Sequence, residues 1–583
     1  MTVEKLITDH IDIWSSALQT RSTAGRGSNG KIDLYGIKKL RELILELAVR
    51  GKLVPQDPND EPASELLKRI AAEKAELVKQ GKIKKQKPLL EISEDEKPFE
   101  LPVGWEWVRM DHVGHDWGQK TPENDFTYID VGSINKELGI VAEPTIMQAQ
   151  DAPSRARKIV RRNTVVYSTV RPYLLNIAVI NEDFQPEPIA STAFAIVHPW
   201  EGISATFIYH YLRSPVFINY VESCQTGVAY PAINDKQFFA GVVAIPPLEE
   251  QLRIVDKVNE LMSLCDQLEQ QSLSSLDAHQ QLVETLLTTL TDSQNAEELA
   301  DNWARISQHF DTLFTTEASI DALKQTILQL AVMGKLVPQD PNDEPASELL
   351  KRIEQEKVQQ VKEGKIKKQK PLPLVSEEEK PFELPMGWEW CRTEDIGDLK
   401  LGRQRSPKDH HGPHMTPYLR VANVHDNEIR ADDVKFMNFT PEEKVIFSLQ
   451  YGDILLNEGQ SLELVGRPAI FKNEITGACF QNTLIRFRVN KFISNEYALA
   501  YFRHCLYSGR FQKAATQTTN IAHLSVSRLA PIEFPLPSYS EQLKIVLKIK
   551  ELEVLCEKIK IGVKSAQQTQ LHLADALTDA ALN

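Results

Sequence analysis

The twenty residues GKLVPQDPNDEPASELLKRI occupy Gly51–Ile70 and recur without a change at Gly334–Ile353, 283 positions further on. The stretch is too polar for a core strand and too interrupted by proline for one helix. A connector of this kind, present twice, implies two copies of whatever it connects. At the same offset EKPFELPVGWEWVR (96–109) matches EKPFELPMGWEWCR (379–392), and GKIKKQKPL (81–89) recurs at 364–372. The duplicated unit runs from Leu47 to Arg109 and from Leu330 to Arg392. Each copy reads as a helix end, a proline-rich connector, a charged helix and a Gly-Trp opening into a new domain.

A second repeat has an offset of 291. EQLRIVDKVNELMSLCDQL (250–268) aligns with EQLKIVLKIKELEVLCEKI (541–559), each behind a proline-rich stop, AIPPLEEQ or FPLPSYSEQ. Ile254, Val258, Leu261, Cys265 and Leu268 in the first and Ile545, Ile549, Leu552, Cys556 and Ile559 in the second step by four and three. That is the seam spacing of a coiled coil. A stripe of this kind packs on some nearby helix, and two copies with one spacing favour packing against each other.

Between the flanks lie two diverged segments, 103–248 and 386–539, that keep common landmarks. YIDVGSIN (128–135) answers YLRVANVH (418–425), NTVVYSTVRP (163–172) answers GDILLNEGQS (452–461), and STAFAIVHP (191–199) answers QNTLIRFRV (481–489). Each segment then has a helical stretch and a polar loop, TGVAYPAIN or TQTTNIAHL. The expected fold is α+β: two similar domains separated by long antiparallel coiled-coil helices, with an internal pseudo-twofold repeat. The expected order is a helical arm and connector (1–102), a domain (103–248), a central helical spacer and connector (249–385), a domain (386–539) and a final spacer helix (540–583).

A chain of 583 residues exceeds one hydrophobic core. No apolar run reaches the length that spans a bilayer, the N-terminus lacks a signal-peptide layout, and the six cysteines show no disulfide spacing, so a cytoplasmic protein is expected. A net charge of −14 first argues against a nucleic-acid partner. Yet 109–240 holds 11 basic and 14 acidic residues and 392–530 holds 18 and 15, so the whole deficit lies outside the two domains. DNA is therefore not excluded.

Three motifs suggest chemistry and fail. GRGSNGKI (25–32) has the glycines and lysine of a phosphate loop, but Ile32 replaces the required hydroxyl and no apolar strand precedes it. AIPPL (244–248) is similar to the Pro-Pro-aromatic motif of adenine methyltransferases, but it has Ile245 and Leu248 at the two defining positions. HHGPH (410–414) has one close acid, Asp409, and no cysteine, so a solvated loop is expected and no metal site.

The order of these parts, repeated twice, resembles the specificity subunit of type I restriction–modification enzymes, and its longer-chain subgroup with the doubled connector. The carrying residues are Leu101–Trp107 and Leu384–Trp390, GDIL at 452–455, the proline-rich EQ exits and the paired seam helices. The resemblance implies two target-recognition domains that read the halves of a split double-stranded DNA site. The seam helices would be the ruler between them. It implies a chain without an active site or bound cofactor. Two modification subunits would bring S-adenosylmethionine and methylate adenine N6, and restriction subunits would bring ATP, Mg and cleavage. In the first domain NTVVY stands where GDILL stands in the second, so residue-level transfer is weaker there. A stand-alone DNA-binding or architectural protein is the first alternative. A nuclease or methyltransferase in its own right is the second, and it lacks the constellation it needs.

For DNA contact the sequence offers a basic run, RARKIVRR, with Arg155, Arg157, Lys158, Arg161 and Arg162, and Arg171 at the end of NTVVYSTVRP. The run suits phosphates and equally suits a solvated strand edge. Arg403, Arg405 and Lys408 lie in a Gly/Pro loop able to approach a backbone. Thr226 and Tyr230 in the first domain, and Gln517, Thr518, Thr519 and Asn520 in the second, offer groups for base edges or phosphates, or simply form turns.

Overall fold

A computed structural model describes residues 3–21, 31–83, 89–227, 229–364, 370–518 and 521–582. Most of the Gly25–Ile32 motif lies outside them, as do Thr519 and Asn520. The chain divides into two units, one built mainly from Lys31–Ser274 and one from Ser275–Ala566, with Gln567 onward belonging to the first. Each holds one α+β module, one connector and parts of both long helices, Leu248–Asp292 and Tyr539–Leu582.

The modules share one plan. In the first, an antiparallel sheet has the order Ile177–Val179, Val165–Ser168, Phe194–Pro199, Gly114–His115. In the second, the corresponding order is Pro468–Ile470, Ile454–Asn457, Leu484–Val489, Gly397–Leu401. A second sheet contains a parallel pair in each module: Phe126–Ile129 with Pro188–Ser191, and Met415–Leu419 with Cys479–Phe480. In both, the strand before the parallel pair's crossover also pairs antiparallel with Thr145–Met147 or Lys435–Asn438. The central strands are buried on both faces, which is why they read as unbroken apolar runs. Ile454 and Leu456 face one core and Leu455 another. Val166, Ile196 and Ile129 build the equivalent core of the first module.

Each module is closed by an antiparallel ribbon of its first and last strands, Glu106–Arg109 with Val242–Ile245 and Glu389–Arg392 with Glu533–Leu536. The last strand leads into the long helix, and here the duplicated connector has its function. The helix Tyr35–Val49 ends at Gly51 in the left-handed region (φ 68°), with the Lys52 amide donating to Leu47 O, and Gly334 (φ 70°) ends Glu317–Val332 in the same way. A Cβ at Gly51 would lie 2.5 Å from Pro102, and at Gly334 2.4 Å from Pro385, so both sites exclude a side chain.

Beyond the glycine, Gln56 Nε2 donates to Gly51 O and to Glu250 Oε1 (3.1 Å), while Trp105 Nε1 donates to Glu250 Oε2 (3.0 Å). The second copy repeats this with Gln339, Trp388 and Glu541, at 3.2 Å and 2.9 Å. The neighbouring glutamines face the other way. Gln251 accepts from the Ser204 amide and Gln542 from the Ser494 amide, and these serines cap module helices. The EQ dipeptide at the start of each long helix therefore pins the connector with its acid and the module with its amide. Arg109 forks onto Glu96 (2.6 and 2.9 Å) and Arg392 onto Glu379 (3.0 and 2.8 Å), which holds both carboxyls down to about 2.

The seam stripes are inward-facing. Ile254, Val258, Leu261, Cys265 and Leu268 are all buried, as are Ile545, Ile549 and Cys556, with Leu552 and Ile559 packed alongside. Each stripe belongs to a different unit and has a partner inside it. Arg41 of the Tyr35–Val49 helix reaches Asp266 (2.6 Å) and Glu269 (2.9 Å), and Lys560 reaches Asp321 (3.2 Å) and Glu317 (3.3 Å) of the Glu317–Val332 helix. No helix among the described residues is long and apolar enough to cross a membrane.

Candidate nucleic-acid interface

Two loops of each module are joined by main-chain hydrogen bonds, one following the central strand and one following the second helix. In the first module the Thr169 amide donates to Ala193 O (2.9 Å), the Ile233 amide to Thr169 O (3.0 Å) and the Arg171 amide to Pro231 O (2.8 Å). Val170 and Thr226 both bridge to Ala232. In the second the Glu458 amide donates to Thr483 O (2.9 Å) and the Leu524 amide to Glu458 O (2.8 Å). Gly459 pairs with His523, which also pairs with Thr516. The two frameworks share these two bonds and the same loop-to-loop register, so Thr169 corresponds to Glu458, Val170 to Gly459 and Arg171 to Gln460.

Both surfaces present polar groups on a tethered backbone. Arg171 (φ 50°) and Leu175 (φ 54°) hold left-handed conformations that cost a side-chain-bearing residue on the order of 1 kcal/mol each, sustained by the bonds around them. The Arg171 guanidinium lies 4.7 Å from the ring centre of Tyr230, itself 67% exposed. Thr226 is exposed beside it, with Tyr173 at the tip of the turn. In the second module Gln517 and Thr518 are exposed, and the Gln460 Oε1 accepts from the Ser461 amide at 3.1 Å. Sequence reasoning named Arg171, Thr226, Tyr230, Gln517 and Thr518 but missed Gln460.

The basic run divides by strand alternation. Ala156–Ile159 is a strand in which Ala156, Lys158 and then Val160 point inward. Lys158 is 3% exposed and its ammonium is spent on Asp235 at 2.8 Å, so it leaves the set of cations free to meet DNA. Arg155, Arg161 and Arg162 are exposed and Arg157 is half-buried. Arg161 sits 4.1 Å from the centre of the Trp117 ring, within a cluster where Trp117 and His115 centroids are 4.4 Å apart. His198, bonded to Thr164 Oγ1 (3.0 Å), is pushed down to about 4 by burial and by the neighbouring His115 and Arg161 charges.

The loop at 402–412 needs a similar correction. Arg403 is turned in, bonded to Glu443 (2.7 Å) and Asp409 (3.1 Å) and placed over Phe439, so it braces the loop and does not face solvent. Arg405, with its Nε 3.2 Å from His410 Nε2, and Lys408 remain exposed. The loops thus carry guanidinium, amide, hydroxyl and phenol groups, the side-chain types that pair with base edges and phosphates.

Comparison with known proteins agrees. The profile of the type I restriction modification DNA specificity domain matches residues 385–565. The chain is 52% identical to the type I restriction enzyme EcoEI specificity subunit and 50% to the EcoAI specificity subunit, both from Escherichia coli, with all of each chain covered. A solved chain, from work on assembly and conformational transition of the type I R-M system, covers 83% of this chain and 99% of its own length. It is 21% identical with a TM-score of 0.50, a likeness of fold. The sequence's α+β plan with its internal repeat thus stands, and the chain belongs to the specificity subunits of type I restriction enzymes.

Proposed function

We propose that the chain reads a split DNA target, one half-site per module, while the long helices set the gap between the halves. The observation that carries this is the coincidence of two loop frameworks bearing different side chains, in two modules whose connectors carry the same Trp–Glu–Gln latch onto the long helices. A stand-alone DNA-binding role is disfavoured by full-length similarity to subunits of restriction enzymes. In this reading the chain is a non-catalytic scaffold in the cytoplasm. It docks two modification subunits, which hold S-adenosylmethionine and methylate adenine N6, and restriction subunits, which hold ATP and Mg. The chain itself binds none of these cofactors.

The test is an exchange of residues 103–248 for the same segment of a relative, in cells that make the complete modification complex. Mapping N6-methyladenine across the genome should show one half of the target changed and the other intact. A motif altered in both halves, or left unchanged in both, refutes modular reading.

A further inference from the structure

The first residue of each exposed loop tip whose backbone position the two frameworks share is Arg171 in one module and Gln460 in the other. The equivalence rests on the three matched contacts described above, Thr169/Glu458 to the central sheet, Ile233/Leu524 back to that residue, and Val170/Gly459 to the facing loop. Matched main-chain partners therefore flank a different long polar side chain in each module, on a left-handed residue at Arg171 (φ 50°) and in a short strand at Gly459–Gln460. These are the two residue types that make forked contacts to purines in the major groove: Arg donates twice to guanine N7 and O6, and Gln donates to adenine N7 while accepting from N6.

Neither fork is consumed by the fold. Among the described residues no ion pair holds Arg171, and its guanidinium is supported from the side by Tyr230, which leaves its N–H edge open. Gln460 Oε1 takes one hydrogen bond from the Ser461 amide, and this oxygen keeps a second lone pair. Both side chains are half-buried. By contrast Arg403 is closed off by Glu443 and Asp409. Orientation by a tethered backbone lowers the ordering cost of binding, the condition under which a single fork discriminates.

We propose that Arg171 and Gln460 are corresponding base readers, Arg171 recognising a guanine in one half-site and Gln460 an adenine in the other. This deepens the modular reading and rests on it. It predicts that the two half-sites carry G and A at corresponding positions, and that exchanging the side chains exchanges the letters.

The experiment uses the complete modification complex with the full chain carrying R171Q or Q460R, read by N6-methyladenine mapping. Q460R should convert one adenine of its half-site to guanine and leave the other half-site untouched, and R171Q should do the reciprocal. In competition binding of the assembled complex to duplexes varied at that single position, R171A should lower the preference for guanine by roughly 5- to 150-fold. An unchanged motif, or an equal loss of affinity for target and random DNA, would make the residues phosphate contacts and overturn the proposal while leaving modular reading intact. A change in both half-sites from one substitution would overturn modular reading itself. Should R171Q lower the melting temperature, R171K decides: it keeps the charge and loses the fork, so guanine preference must fall while affinity for random DNA is retained.

Discussion

Trp388→Phe tests whether the duplicated connector acts as a latch. The indole N–H donates to Glu541 Oε2 at 2.9 Å in a site where Trp388 is 6% and Glu541 4% exposed. Phenylalanine keeps most of the ring contact and removes the donor, so a buried carboxylate oxygen loses its partner. A hydrogen bond to a charged group is worth about 1.5–3 kcal/mol, and the missing ring volume adds about 1 kcal/mol, giving about 3 kcal/mol in all. Trp105→Phe removes the matching bond to Glu250, 3.0 Å, from a tryptophan that is 5% exposed. The two substitutions should therefore cost the same within about 0.5 kcal/mol, and they should add in the double variant because they share no partner. Native-state hydrogen exchange read by mass spectrometry provides both numbers, and the loss of protection should centre on Gly334–Ile353 for one and Gly51–Ile70 for the other. A cost below about 0.5 kcal/mol at either site would show that the connector merely passes the helix. Unequal costs would show that identical letters do not have identical duties.

Acid should loosen the fold through buried histidines. His210 is held at about 4, chiefly by burial and then by the Arg213 charge, so the unfolded chain takes up a proton between about pH 6.5 and 4 that the folded chain refuses. Stability is lost as pH falls through that window, by about 1.3 kcal/mol between pH 7.5 and 5.5. In calorimetry His210→Leu should melt with a smaller pH dependence than the parent, and an identical dependence refutes the assignment. Arg155→Ala with Arg157→Ala should weaken specific and random DNA alike and flatten the salt slope by roughly 0.9 for each phosphate no longer neutralised. Lys158→Met should leave that slope unchanged while lowering the melting temperature, because Lys158 serves Asp235. A slope change with Lys158→Met would return that lysine to the interface.

The fold was legible in the sequence because duplication is visible as letters, and a helix end, a connector and a Gly-Trp opening are local signals. The latch was half legible. EQ behind proline announces a helix start, but that Glu250 meets Trp105 and Gln56 is a contact across 145 and 194 residues that no local pattern carries. Lys158 was misjudged although the signal was present: Ala156, Lys158 and Val160 form an inward period of two, and the lysine reads as surface only if charge is weighed before alternation. Arg403 had only a partial signal, Asp409 six residues on in the same loop, since its other partner Glu443 lies 40 residues away. Gln460 was already opposite Arg171 when NTVVYSTVRP was set against GDILLNEGQS. It escaped notice because amide side chains in a Gly-containing loop look like turn residues. The seam spacing favoured packing of the two stripes on each other; both are buried, and ion pairs to the Tyr35–Val49 and Glu317–Val332 helices supply a partner in each unit.

The division between unchanged and diverged residues follows from where each acts. Gly51, Gln56, Trp105 and Glu250 form a closed set, each satisfying another's buried polar group or filling its space, so replacing one strands the rest. The second copy repeats the set residue for residue. The loop tips obey no such closure. Their positions are held by main-chain amides and carbonyls of Thr169 and Ile233 or Glu458 and Leu524, and such bonds accept almost any side chain. Arg171 and Gln460 can hold corresponding places because the main-chain bonds of the residues beside them do not depend on which side chain follows. A frame built from interlocked side chains and a surface built on backbone bonds lets one part stay constant while the other changes its letter. In a chain whose task is to recognise sequence, that separation is what allows a new target without a new fold.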